Sequence, residues 1–504
     1  MIPPLRTLLL LFYVACFAML VMVISPGKLS LTDKISLQVF TLDDFGSNRG
    51  QTAPTTDLAF LDQLEEEIDQ TTPPTPLPQT APSTPDTLAL TPEAQTELSE
   101  TLREARQPID YPDASASALN HFFDALYALS QRPSSVRIVH YGDSQIEGDR
   151  ISGYLRERLQ RRFGGCGVGM VPLWTRDNLR STLKTDPSDT WKKFAYVDAK
   201  HKPSTHQLGM LAAYYKFTPD RDSAFVSKAR YGSVVFTGAS EKDKNPPAHH
   251  QTERLRLLFR NPHGELQAEI ALNNKIIATQ TQPIGKGLQV IEHRLPERSP
   301  YRNIKLRLAS SGSPELYGFS MDCQTGISLD NVPIRGSSGV EFTKIDKERL
   351  REQFQAMDVR LLILEFGVNV VPGQAESYAY YENLYYKQLK FFKSLYPELD
   401  ILVVSLSDMS RQRKGRWESY PNIEPIRNAQ KRAAFRAGCA FWDLYQAMGG
   451  RNAMTAWVSA DPPLASPDYI HFSPRGARLA AEMLYNALLN SYQDYKEKRL
   501  QQSR

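Results

Sequence analysis

The sequence predicts an α/β protein: a parallel sheet covered by helices on both faces, with an inserted β-sandwich and, ahead of it, an N-terminal transmembrane helix and a Pro/Thr-rich linker. Three observations carry this reading. Apolar, β-branched runs alternate with amphipathic segments in 116–169 and again in 326–497, the rhythm of strands buried on both faces. Between 170 and 325 the rhythm changes to period-2 runs broken by turns, the pattern of a sandwich. An uncharged apolar stretch and a run of prolines precede both.

Thr7–Ser25 is a stretch of 19 uncharged, mostly apolar residues preceded by Arg6, and about 20 such residues cross a bilayer as a helix. No small-x-small site closes the stretch, so residues 1–27 read as a retained anchor and not a cleaved signal. Apolar residues continue past Cys16, which argues against lipidation there. With Arg6 inside, the bulk of the chain is expected to face the periplasm or exterior, an orientation that Lys28 and Lys34 oppose. From 28 to 115, Pro73, Pro74, Pro76, Pro78, Pro82, Pro85 and Pro92 stand among threonines. Proline at this density favours an extended spacer of about 3.1 Å per residue, so the segment reads as a largely disordered linker.

Across 504 residues, 60 Lys and Arg nearly balance 56 Asp and Glu, for a net charge of +4. No basic stripe or aromatic-interleaved basic run appears, so no nucleic-acid partner is expected, and the basic tail 498–504 reads as a solvated end. Cys16, Cys166, Cys323 and Cys439 lack metal-ligand spacing, and no His-Glu-x-x-His or Cys-x-x-Cys occurs, so neither metal nor cofactor is expected. Cys166 and Cys323 flank the insert; a bridge at its neck and two free buried thiols are both compatible with the sequence.

The folded part starts at 116 with a helix over Ala116–Leu129, then a strand through Val136 to Val139 that delivers Gly142-Asp143-Ser144. Ile151, Leu155, Leu159 and Phe163 follow at helical spacing. Ser144 therefore sits between the carboxyl end of a strand and the amino end of a helix, where backbone N–H groups favour a developing negative charge. The insert, 170–325, is read from Leu255–Phe259, Leu266–Leu272, Val290–Leu295, Ile304–Leu308 and Glu315–Met321. Then come a helix over Lys344–Met357, a continuous apolar strand Val359–Phe366, a helix over Glu376–Leu395, a strand Ile401–Leu406 and a helix over Glu424–Ala437. A serine needs a base, and a base needs a group to orient it. Asp468 and His471 are close enough for one loop to set carboxylate beside imidazole, with Ser473 as N-cap and Pro474 as first residue of the closing helix.

These residues resemble the SGNH hydrolases, or GDSL esterases and lipases, in four blocks in order: Gly142-Asp143-Ser144; Ile334-Arg335-Gly336-Ser337-Ser338-Gly339; Gly367-Val368-Asn369; and Asp468-x-x-His471. Gln145 stands where the family pattern has leucine. The resemblance implies an SGNH-type three-layer α/β/α sheet in which Ser144 attacks an ester carbonyl, His471 takes and returns the proton, and Asp468 holds the imidazole. It further implies an oxyanion hole made by the backbone N–H groups of Ser144 and Gly336 and the side-chain amide of Asn369, with Gly367 opening space ahead of that asparagine. An insert between the first two blocks resembles the carbohydrate-binding-module-like domain of peptidoglycan O-acetylesterases. The expectation is a membrane-anchored esterase that removes O-acetyl or other short acyl groups from peptidoglycan or another polysaccharide. Acyl transfer from the same serine, and an inactive glycan-binding scaffold, are the alternatives.

Overall fold

A computed structural model describes residues 28–32, 35–38, 107–175, 179–196, 207–218, 230–240 and 243–502. The transmembrane anchor read at 1–27 and most of the linker lie outside the described residues; among the described ones no helix is long and apolar enough to cross a membrane. Within Met1–Thr55, which forms a unit of its own, Lys28–Thr32 and Ile35–Gln38 pair as an antiparallel ribbon. This ribbon occupies the start of the segment read as linker.

In the second unit, strands β1 (Ser135–Gly142), β2 (Gly326–Pro333), β3 (Val359–Glu365), β4 (Asp400–Val404) and β5 (Ala440–Trp442) form a parallel sheet in the order β2-β1-β3-β4-β5, and Ile109–Asp110 adds an antiparallel edge. The apolar run Leu361–Leu364 within β3 has a direct cause. Leu361 and Ile363 join one core with Phe122, Leu155 and Leu484, while Leu362 and Leu364 join another with Tyr385, Phe392 and Ala429. Helices α1 (Asn120–Leu129), α2 (Arg150–Phe163) and α5 (Pro474–Gln502) thus cover one face, and α3 (Ala379–Lys393) and α4 (Ile423–Ala437) the other. Each side chain so buried contributes about 1.5–3 kcal/mol. The tail read as starting at 498 is, through Gln502, the end of α5.

The insert is a sandwich of a six-stranded and a five-stranded antiparallel sheet. The expected strands are present, with Val290–Leu295 lying inside the longer Gly285–Pro300. Gly169–Val171, Lys184–Pro187, Lys192–Ala195, Ala213–Lys216, Arg230–Thr237 and Lys275–Gln282 complete the sheets. Its apolar interior, with Phe236 and Phe319, is continuous with the Tyr141 and Val332 face of the parallel sheet. At the neck, Cys166 and Cys323 form a disulfide with Cα atoms 5.0 Å apart. Beside it the buried Arg137 of β1 bridges Asp322 of the insert and Asp330 of β2.

Candidate active site

In the parallel register, Gly142 of β1 stands between Pro333 of β2 and Glu365 of β3. Three loops therefore leave one edge of the sheet together, at the carboxyl ends of neighbouring strands where open α/β sheets bind ligands. Backbone bonds fasten their roots: the Asp143 N–H donates to the Glu365 carbonyl (3.2 Å), and the Ile334 N–H to the Gly142 carbonyl (2.8 Å). The loops carry Ser144, Gly336 and Asn369.

Asp143, which is buried, joins the serine turn to the asparagine turn. Its carboxylate accepts from the Gln145 N–H at 3.0 Å and from the backbone N–H groups of Gly367 and Val368. Burial and the nearby Glu365 push its pKa up to about 7 against the pull of those hydrogen bonds. The helix expected to begin at Ser144 begins later. Residues Ser144–Asp149 make a short 3-10 stretch kinked at Glu147 and Gly148, and α2 starts only at Arg150 because Gly148 and Asp149 adopt left-handed backbone (φ 73° and 65°). The helix dipole, which acts within about one turn, does not end on Ser144.

The fourth loop closes over the serine. Ser144 Oγ lies 2.8 Å from His471 Nε2, and His471 Nδ1 lies 2.8 Å from Asp468 Oδ2. An acceptor carboxylate fixes the tautomer: Nδ1–H donates to Asp468, which leaves Nε2 to accept the Ser144 hydroxyl. The other Asp468 oxygen accepts from the N–H groups of Ile470 (2.9 Å) and His471 (3.0 Å). Burial pushes the Asp468 carboxyl up, but the hydrogen bonds from the His471 ring and from the His471 and Ile470 N–H groups outweigh it, and the pKa is lowered. The loop is a short antiparallel turn in which the Ser466 N–H meets the His471 carbonyl (2.8 Å). Ser473 caps α5 by accepting from the Gly476 N–H at 3.1 Å.

Asn369 donates one amide hydrogen to the Ser337 carbonyl (2.9 Å), tying the third loop to the second and leaving its other hydrogen for a ligand. Gly336 has φ 81° and nothing within 4 Å of where a Cβ would stand, so its peptide is open on that side. Gly367 plays a different part from the one read in the sequence. It opens no space: a Cβ there would meet Gln430 and Leu406 at 2.9 Å, and φ is 128°, so the residue serves close packing and a turn that side chains resist. Arg335, next to Gly336, grips Glu147 of the serine turn through both carboxylate oxygens (2.7 and 3.0 Å).

Two positioning groups escape sequence reasoning. The buried Gln145 amide holds the backbone on both sides of His471, donating from Nε2 to the Ile470 carbonyl (2.7 Å) and accepting the Phe472 N–H at Oε1 (3.4 Å). Arg150 donates to the carbonyls of Ser144 (2.6 Å) and Phe472 (3.1 Å). The one legible hint was a polar residue where the family pattern has leucine. His140, buried in β1, bonds Ser152 (3.0 Å) and Glu365 (3.2 Å) beneath the site. Among the described residues no group of three or more His, Cys, Asp or Glu is placed to hold a metal.

Residues 312–479 match the model of the GDSL-like Lipase/Acylhydrolase family. Among solved structures, a peptidoglycan O-acetylesterase matches with a TM-score of 0.60 and 20% identity, over 77% of this chain and 99% of that one. An acetyl xylan esterase matches at TM-score 0.25 and 17% identity over 32% of this chain and 81% of its own. A family two carbohydrate esterase from Clostridium thermocellum, in complex with cellohexaose, matches at TM-score 0.22 and 9% identity over 52% of this chain and 92% of its own. None of the curated proteins matches the chain in sequence.

Proposed function

We propose, from the match of residues 312–479 to the GDSL-like lipase/acylhydrolase model, that the chain is a serine esterase removing O-acetyl or other short acyl groups from peptidoglycan or another polysaccharide. The observation that carries this reading is the relay from Ser144 through His471 to Asp468, each link 2.8 Å long. Ser144 Oγ attacks the acyl carbon as its proton passes to His471 Nε2, and Asp468 stabilises the imidazolium so formed. The same proton then goes to the sugar oxygen as the bond from carbonyl carbon to that oxygen breaks, leaving acyl-Ser144. Water, deprotonated by His471, resolves the acyl-enzyme to free acid and serine. The tetrahedral oxyanion is met by the N–H groups of Ser144 and Gly336 and by the free amide hydrogen of Asn369, each donor contributing about 2.7–4 kcal/mol in such sites.

The substrate class is taken from the peptidoglycan O-acetylesterase that shares the fold. An extracytoplasmic setting, with the chain tethered through residues 1–27, is supported by the Cys166–Cys323 disulfide, since such bridges persist in oxidising compartments. The full-length protein should release acetate from O-acetylated peptidoglycan and from a simple acetyl ester, and Ser144→Ala should abolish both while the melting curve stays unchanged. An Ala variant as active as the wild type would end the esterase reading.

A further inference from the structure

Tyr469 sits inside the Asp468-x-x-His471 loop with left-handed backbone, φ 58°. Residues with a Cβ adopt this conformation at a cost, and it persists only where surrounding structure enforces it. Here it has a use: the reversal at Tyr469 lets one Asp468 oxygen accept from the Ile470 and His471 N–H groups while the other faces His471 Nδ1. A relaxed turn would part the carboxylate from the ring it orients.

Two of the contacts that hold the reversal come from one place, a two-stranded hairpin formed by Ser410–Arg413 and Arg416–Ser419. The Ser410 N–H donates to the Tyr469 carbonyl at 3.1 Å. The Trp417 ring lies flat on the Tyr469 ring, with centroids 3.7 Å apart and planes at 9°. Both rings are half-buried, and Tyr469 also packs against the edge of the apolar core that holds Trp457 and Phe472, so the Trp417 ring covers the side of Tyr469 that the core leaves open. The hairpin has a firm root. Ser419 Oγ donates to the buried Asp408 (2.8 Å), the Asn452 N–H donates to Ser419 Oγ (2.7 Å), and the Tyr420 N–H donates to the Met409 carbonyl (3.0 Å). The Gln145 amide grips the same loop from the serine side, so the base is braced from two directions.

We infer that Trp417 is a positioning residue for the base: by stacking on Tyr469 it keeps the left-handed turn that aims Asp468 at His471. The inference rests on the catalytic reading of Ser144, His471 and Asp468. The test uses the full chain, kcat and KM on a short acetyl ester, and the far-downfield proton resonance of His471 Nδ1, which reads the contact with Asp468 without turnover. Trp417→Ala should lower kcat about tenfold with KM changed less than about threefold, and should shift or broaden that resonance; Trp417→Phe, which keeps a flat face, should restore both. Tyr469→Gly supplies the left-handed turn without needing a ring, so in that background Trp417→Ala should change kcat less than about threefold. If the two substitutions multiply, or if Trp417→Ala leaves kcat and the resonance at wild-type values, the positioning role is overturned. Should the Ala variant fail to fold by its melting curve, Trp417→Leu, which keeps apolar bulk without a flat face, carries the same expectation. Undiminished acetate release by Ser144→Ala would remove the esterase assignment alone; the resonance would still decide what Trp417 does.

Discussion

Gln145 shows how much a single side chain can do beside Ser144. Its amide spans the carbonyl before His471 and the N–H after it, so a leucine of similar size would fill the space and leave both groups unpaired in a buried setting. Gln145→Leu is expected to lower kcat on an acetyl ester by about tenfold to a hundredfold, with the loss in kcat and not in KM, because misplacement of the base and not loss of substrate contact is the cause. Asn369 is the proposed side-chain donor to the oxyanion. Replacing it by Ala removes an oxyanion donor and also the tie to Ser337; steady-state kinetics should show kcat down by about 10²–10³. Neither pairing of Gln145 around His471 has a local signature, since Ile470 and Phe472 lie 325 and 327 positions away. Ser144, Asp468 and His471 were legible because each sits in a short motif with its own turn chemistry.

At the scale of elements, what the sequence reveals depends on what each element buries. Val359–Glu365 is legible because its two faces enter two cores, and α5 because Ser473 and Pro474 mark its start. Lys275–Gln282 is not, because it is the outer strand of its sheet and none of its side chains is fully buried, so no apolar alternation announces it. The break between Ser144 and α2 is hidden for another reason: Asp149, just ahead of the helix, takes its left-handed conformation while its carboxylate is held by the buried Arg156 of α2, a contact that no periodicity shows. The neck of the insert was open on sequence, as cysteine spacing says nothing of distance in space. With the bridge formed, Cys166→Ser should reduce unfolding free energy by about 2–5 kcal/mol in a denaturant titration, and acetate release at low temperature should survive, since neither cysteine is in the site.

For the molecule as a whole, buried carboxylates of two kinds shape stability against pH. Asp408, pushed up to about 6 by burial, and Asp143, pushed up to about 7, hold protons in the folded state that the unfolded chain has already released above about pH 4. Folding then binds protons, so stability falls as pH rises from about 4 toward 7, by at most about 1.4 kcal/mol per unit for each group. Asp322 and Asp149 act in the opposite sense: burial pushes them up, but Arg137 with Arg256, and Arg156 with Arg180, pull them well below the usual carboxylate range. Their contribution is present above about pH 4 and is lost as pH falls further. Denaturant midpoints measured from pH 3 to 8 should therefore peak in mildly acidic buffer, and Asp408→Asn, which keeps an acceptor for Ser419 and the Met454 N–H, should flatten the limb above the peak. A midpoint that climbs steadily to pH 8 in the wild type would contradict this balance.

The bond between Ser144 and His471 spans 327 positions of sequence, and its consequence is one of timing. A ribosome makes the nucleophile early and the base only just before the final helix. A polypeptide released anywhere short of that point holds Ser144 without the imidazole it bonds, so on the proposed mechanism a truncated product would leave acyl esters untouched.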